Sequence, residues 1–388
     1  MRWYQHISFW QLLIFIYTFG KPNILQSPKH NHMNKINKGL SLFAVLALCF
    51  TASCKKSDDT SNGDGAPVNS TISGKVHSPS GKSIGAAEII AGSYKTKSDK
   101  NGDFSLPVAA GTYQLIIQTG GGNVFKTTVS CSAVANQNTA LTYAQTKLNQ
   151  VGNMAYIAGT WDKIETIIND SLGYSAVPIT VADLDSATNL ETYDVIFMNC
   201  GALNTDHMDS LRYANLNSFM QNGGSIYASD YAVELLTGDG YYKNVTTSSQ
   251  WALRNNNHTA SGLQLLSTCS TADLGGFIQD SSLCTSKIGS SGLVANAHIT
   301  DANIILLLGK DSIDIDYNLG SWERIGLLDA PFTSIINDPI TNEPLAATTD
   351  FNGNYPGGKI FYTTFHNEAQ GTVSQDVQNI LQYFILNL

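Results

Sequence analysis

Short alternations of apolar and polar residues fill the chain from Ser70 to about Tyr143. They predict strands at Thr71–Val76, Ala87–Ala91, Tyr94–Ser98, Asp103–Pro107, Gly111–Gln118, Val124–Val129 and Thr139–Tyr143. Ser80-Gly81, Asn101-Gly102 and Gly120-Gly121-Gly122 lie between them as turn chemistry, and no helical period interrupts the run. A sandwich over 70–145 is the expectation. After a linker at Ala144–Gly152 the texture changes. Met154–Ala158, Tyr193–Met198, Ser225–Ala228, Ile304–Leu308 and Lys359–Thr363 are apolar runs of strand length. Helical spacing appears at Asp162–Asp170, Met208–Met220, Tyr231–Leu236 and Ser374–Asn387. Strands alternating with helices predict an α/β three-layer domain over 146–388, built on an open parallel sheet.

Ligands of such sheets bind beyond the carboxyl ends of the strands. That rule gathers Asn199-Cys200-Gly201, Ala228-Ser229-Asp230 and Thr364-Phe365-His366 at one rim. Cys200 after an apolar strand reads first as a small buried hydrophobe. Asp230 is suited to capping the helix behind it, a role compatible with ligand binding. Tyr227, Tyr231, Tyr241 and Tyr242 could stack on a sugar, and Asp311, Asp314 and Asp316 alternate beside Tyr317 as a solvated edge or a cation site. Asp99-Lys100-Asn101-Gly102-Asp103 imitates half a calcium loop but lacks the later bidentate glutamate, so it reads as a hairpin turn.

Two resemblances sharpen this reading. Gly74-x-Val76, Gly81, Ile84-Gly85-Ala86, Asp99-x-Asn101-Gly102-x-Phe104 and Gly111-x-Tyr113 together resemble the carboxypeptidase regulatory-like domain. The resemblance implies a non-catalytic, transthyretin-like sandwich that links or presents its neighbour. The order strand, helix, strand–elbow–helix and a late strand ending Phe365-His366-Asn367-Glu368 resembles the class I glutamine amidotransferase-like fold, and also its trehalose-utilisation-type relatives. In active amidotransferases the elbow bears a cysteine and the late strand ends Phe-His-Pro-Glu. His366 and Glu368 match that motif, and Asn367 replaces the proline.

The elbow departs from the family. Residues two before and two after its apex must be small. Ala228 and Ala232 satisfy this around Asp230, whereas an apex at Ser229 would meet Tyr227 and Tyr231. An aspartate cannot form the thioester of glutamine hydrolysis. A degenerate domain that binds a ligand is therefore expected, with a hydrolase using Asp230 or Ser229 together with His366 and Glu368 as the alternative. A purely structural envelope component is a third reading. Asp230 and His366 should sit on neighbouring strands, with the carboxylate raising the histidine pKa.

Charge and cysteines supply the address. The 22 Lys and Arg against 31 Asp and Glu argue against a nucleic-acid partner. All five basic residues of the first 53 positions (Arg2, Lys21, Lys29, Lys35, Lys38) stand there without an acid. Residues 33–53 read as a secretory signal: Lys35 and Lys38, the apolar run Leu40–Phe50, then Thr51-Ala52-Ser53 before Cys54. This resembles a bacterial lipoprotein box with Cys54 lipidated, an incidental cysteine being the alternative. Residues 1–32 read as lying ahead of the true start, or as an upstream anchor. Residues 54–69 read as a tether, and Ser57-Asp58-Asp59 resembles a Bacteroidetes surface-export signal. The expectation is a protein lipid-anchored to the outer membrane or cell surface, with a glycan, small molecule or protein as ligand. No cofactor is implied, and no cysteine or histidine grouping has zinc spacing. Cys269 and Cys284, bracketing a polar loop, are the expected disulfide.

Overall fold

The computed structural model of the chain describes residues 69–202, 210–233, 235, 283–328, 332–350 and 358–388. All belong to the compact unit Asp64–Leu388. The signal and tether with Cys54, Tyr241, Tyr242, Cys269 and the side chain of Cys284 lie outside the described residues.

The first domain is a β-sandwich of seven strands: β1 (Asn69–Lys75), β2 (Glu88–Ala91), β3 (Tyr94–Lys97), β4 (Asp103–Ala109), β5 (Gly111–Thr119), β6 (Phe125–Ala133) and β7 (Asn138–Ala140). They form two sheets, in the orders β4-β1-β7 and β3-β2-β5-β6. The alternation in β4 turns Phe104, Leu106 and Val108 inward, where Ile72, Ile89, Leu115 and Ile117 join one cluster. The Asp99 motif is a turn. Its carboxylate accepts the N–H groups of Asn101 at 2.8 Å and Asp103 at 2.9 Å, and Gly102 sits at φ +82°.

The expected linker is pinned to the sandwich. Leu148 N donates to His77 O at 2.9 Å, and Thr127 Oγ1 donates to Lys147 O at 2.6 Å. Beyond it come β8 (Met154–Ile157), β9 (Ala176–Ile179), β10 (Val195–Met198), helix α1 (Ser210–Gln221) and β11 (Ser225–Ser229). Then follow β12 (Leu283–Ile299), helix α2 (Ala302–Leu308), β13 (Ser312–Leu328), β14 (Thr333–Asn337), β15 (Pro344–Asp350), β16 (Lys359–Thr363) and helix α3 (Gln375–Asn387). One nine-stranded sheet carries them in the order β13-β12-β14-β15-β16-β11-β10-β8-β9.

The sheet is mixed, which corrects the fully parallel expectation. From β9 to β16 the pairings are parallel, and from β16 to β13 they are antiparallel. The antiparallel half escaped the sequence reading because β12 and β13 interleave polar residues along their 17-residue lengths. Ile304–Leu308 belongs to a helix, not a strand. Asp301 caps it by accepting from Asn303 and Ile304 N–H, and Gly309 ends it in the left-handed conformation. The expected helix at Asp162–Asp170 is a short turn, Ile164–Thr166, running into a wider turn at Ile167–Ser171. Where a helix is expected after Asp230, the described residues Asp230–Val233 form a 3₁₀ turn.

The central parallel strands β10 and β11 are buried on both faces. Val195, Phe197, Tyr227 and Phe361 face α3, where Phe361 stacks on Phe384 at 4.6 Å. Their neighbours Ile196, Met198, Ile226 and Ile360 cluster with Leu216, Phe219 and Met220 of α1. A sheet sealed on both faces leaves its strand ends as the place for chemistry.

Candidate functional site

Four parallel strands deliver side chains to one rim. The loop after β8 brings Asp162, the end of β10 Cys200, the end of β11 Ser229 and Asp230, and the end of β16 His366. β11 and β16 are hydrogen-bonded neighbours, with Ser229 opposite Thr363. Cys200, Ser229, Asp230 and His366 are therefore brought together as the rim rule anticipates.

Asp230 is the apex. Its φ of +48° is a left-handed conformation that a non-glycine residue adopts only under local constraint. Ala228 and Ala232 flank it, both buried. The carboxylate is 2 % exposed. Oδ1 accepts Glu323 N–H at 2.6 Å, and Oδ2 accepts the Cys200 thiol at 3.5 Å. Tyr362 OH donates to the Asp230 carbonyl at 3.2 Å, fixing the turn from below.

His366 Nε2 stands 3.8 Å from Asp230 Oδ2, beyond hydrogen-bond length. Its Nδ1 is buried and has no hydrogen-bond partner among the described residues. Burial lowers its pKa to about 4. This reverses the expected direction, because desolvation of the imidazolium outweighs the nearby carboxylate. Glu368 does not hydrogen-bond His366, so the two do not form the acid–histidine pair that the sequence resemblance implies. One of its oxygens, Oε2, is buried without a partner, and burial raises its pKa.

Ser229 is turned away from the apex. Its hydroxyl donates to Asp162 Oδ2 at 2.5 Å and accepts Cys200 N–H at 3.1 Å, and it is fully buried. Tied on both sides, it is unsuited to act as a nucleophile. Burial drives the Cys200 thiol well above its ordinary pKa, so it stays protonated at neutral pH.

Asp162 was missed by the sequence reading. It is fully buried, and its other oxygen accepts Asn367 N–H at 3.1 Å. Desolvation raises its pKa to about 7. The rim rule applied to the first strand would have found it. Tyr227 belongs to the core instead of a stacking platform, its hydroxyl bonded to Thr363 at 2.9 Å.

A cleft of about 140 Å³ opens beside the apex. Tyr317 and Trp322, stacked at 3.9 Å, form its aromatic wall; Asp314, Asp316, Glu368 and Asp230 give it a carboxylate lining. Asp314 and Asp316 do alternate on one face of a strand, with Ile313, Ile315 and Tyr317 buried on the other. Among the described residues, Cys200, Asp230 and His366 form a group able to hold a metal, their donor atoms all lying within 4.8 Å of one another.

Residues 71–143 match the model of the carboxypeptidase regulatory-like domain. No curated protein matches the chain. Among solved structures, a ThuA-like protein from Bacteroides uniformis is 10% identical, with a TM-score of 0.36, covering 59% of this chain and 87% of its own. A GMP synthase component from Thermoplasma acidophilum is 13% identical, with a TM-score of 0.35, covering 61% of this chain and 94% of its own. Likenesses of that extent carry no argument about chemistry. What stands is an N-terminal β-sandwich similar to the carboxypeptidase regulatory-like domain, followed by an α/β domain on a large mixed sheet.

Proposed function

We propose that this chain is an exported, lipid-anchored binding protein of the outer membrane or cell surface. Its α/β domain takes a small polyhydroxylated ligand, such as a sugar, in the rim cleft and has no glutaminase activity. One observation carries the reading: a buried carboxylate occupies the strained apex where an amidotransferase needs a thiol, and His366 is not joined to Glu368. Acceptors set against an aromatic wall suit sugar hydroxyls and ring faces. The signal-like segment 33–53 and Cys54 support the anchor.

A hydrolase is the second reading, favoured by the positive φ of Asp230 and by His366 at 3.8 Å. Against it, both Asp230 oxygens already accept hydrogen bonds, and His366 lacks an orienting partner.

Calorimetric titration of the full chain with mono- and oligosaccharides tests the binding reading. Heat of binding that disappears in Trp322→Ala supports it. Ammonia release from glutamine that depends on Asp230 and His366 contradicts it. Fractionation tests the anchor, because Cys54→Ala should leave the membrane fraction, and unchanged retention would refute lipidation at that residue.

A further inference from the structure

Three chemically different donors converge behind the cleft. Cys200 Sγ stands 3.5 Å, and His366 Nε2 3.8 Å, from the same Asp230 oxygen. A tetrahedral zinc ion, with ligands about 2.0–2.3 Å away, holds its donors roughly 3.3–3.7 Å apart. Two of the three spacings are thus already close to those of a coordination shell, and all three donor atoms lie within 4.8 Å of one another. Glu323 N–H holds Oδ1, which turns Oδ2 toward the other two donors.

A second observation is independent of the spacing. His366 is 6% exposed, its Nδ1 is buried without a hydrogen-bond partner among the described residues, and its Nε2 faces Asp230 at 3.8 Å. An imidazole buried with that polar atom unpaired calls for an explanation that the protein partners alone do not supply. Asp230 and His366 line the cleft, so a cation held here would keep one face open to it.

We propose that Cys200, Asp230 and His366 form a three-ligand site for a zinc-class divalent cation, with its fourth position facing the cleft. The mixed sulfur, nitrogen and oxygen set suits zinc over magnesium or calcium, which take oxygen ligands. On binding, the Cys200 S–H bond breaks, its proton passes to solvent and a sulfur–metal bond forms. His366 and Asp230 contribute lone pairs, and nothing is oxidised. The assignment holds whether or not the cleft takes a sugar.

The test is titration of the chelator-stripped full chain with cobalt(II) under reducing conditions, followed by zinc as competitor. One equivalent of cobalt should give a thiolate charge-transfer band and the strong visible bands of tetrahedral cobalt, and zinc should displace it. Cys200→Ser should abolish the charge-transfer band, and His366→Ala should weaken uptake by about tenfold or more. Absence of the band in the wild type, or its persistence in Cys200→Ser, overturns the site. Should either variant misfold, X-ray absorption of the zinc-loaded wild type decides: one sulfur neighbour at about 2.3 Å supports the assignment, and none or more than one overturns it.

Discussion

Asp162 and His366 are buried titratable groups at one rim whose pKa values are displaced in opposite directions. His366 falls from 6.5 to about 4, so between those values the unfolded chain holds the proton and stability rises with pH. Asp162 rises from 3.8 to about 7, so the folded chain holds its proton and stability falls as pH rises through that window. In the wild type the two slopes oppose each other between about pH 4 and 6.5. Asp162→Asn should therefore show stability rising across that range, and His366→Asn should show it falling up to about pH 7. Urea midpoints measured against pH check this, and parallel profiles in the two variants would refute it. Local chemistry was legible where it obeyed a steric rule: Ala228 and Ala232 marked Asp230 as the apex before any geometry was known. The rim rule could place Asp162 near the site, but its role was illegible because that depends on burial against Ser229 and Asn367, distant in sequence.

At the scale of elements, the site depends on how closely the loops after β8 and β10 approach. A Cβ on Gly159 would stand 2.1 Å from the Cys200 carbonyl oxygen, a backbone atom that can yield only if the loop moves. Gly159→Ala should cost about 1–3 kcal/mol and displace Cys200 from Asp230. Thermal unfolding reads the first effect, and loss of ligand heat reads the second; an unperturbed variant would mean that the two loops move freely. Elements with a short apolar period were readable, and all seven sandwich strands and β8, β10, β11, β16 and α3 lie where the pattern places them, within a few residues. Ile304–Leu308 misled because a continuous apolar run fits a strand and a helix alike, and the flanking Asp301 and Gly309 were the deciding signal. The antiparallel β12–β13 pair supplies Tyr317, Trp322 and Glu323 to the site; the alternation at Asp314 and Asp316 was readable as an edge, whereas the polar residues along the rest of both strands hid their length.

Across the whole unit, the sandwich and the α/β domain share one apolar cluster. Phe125 of the sandwich packs on Tyr174 at 4.6 Å, and Tyr174 OH donates to Leu148 O at 3.1 Å. Gly120 N–H donates to Asn387 Oδ1 at 3.3 Å, at the end of α3. The two domains should unfold in one transition, and Phe125→Ala should lower its midpoint by removing about 3–5 kcal/mol. Two resolved calorimetric transitions, only one of them shifted, would mean that the sandwich is an independent spacer. The division into two domains was readable from the change of period, whereas their fusion was hidden because the segment read as a linker carries backbone contacts no pattern announces. The most direct test of a cleft that binds without turning over is native mass spectrometry of the full chain with a sugar panel. The expected spectrum shows a complex of intact ligand mass in the wild type that is lost in His366→Ala. Cleaved ligand, or a covalent adduct on Asp230, would contradict it.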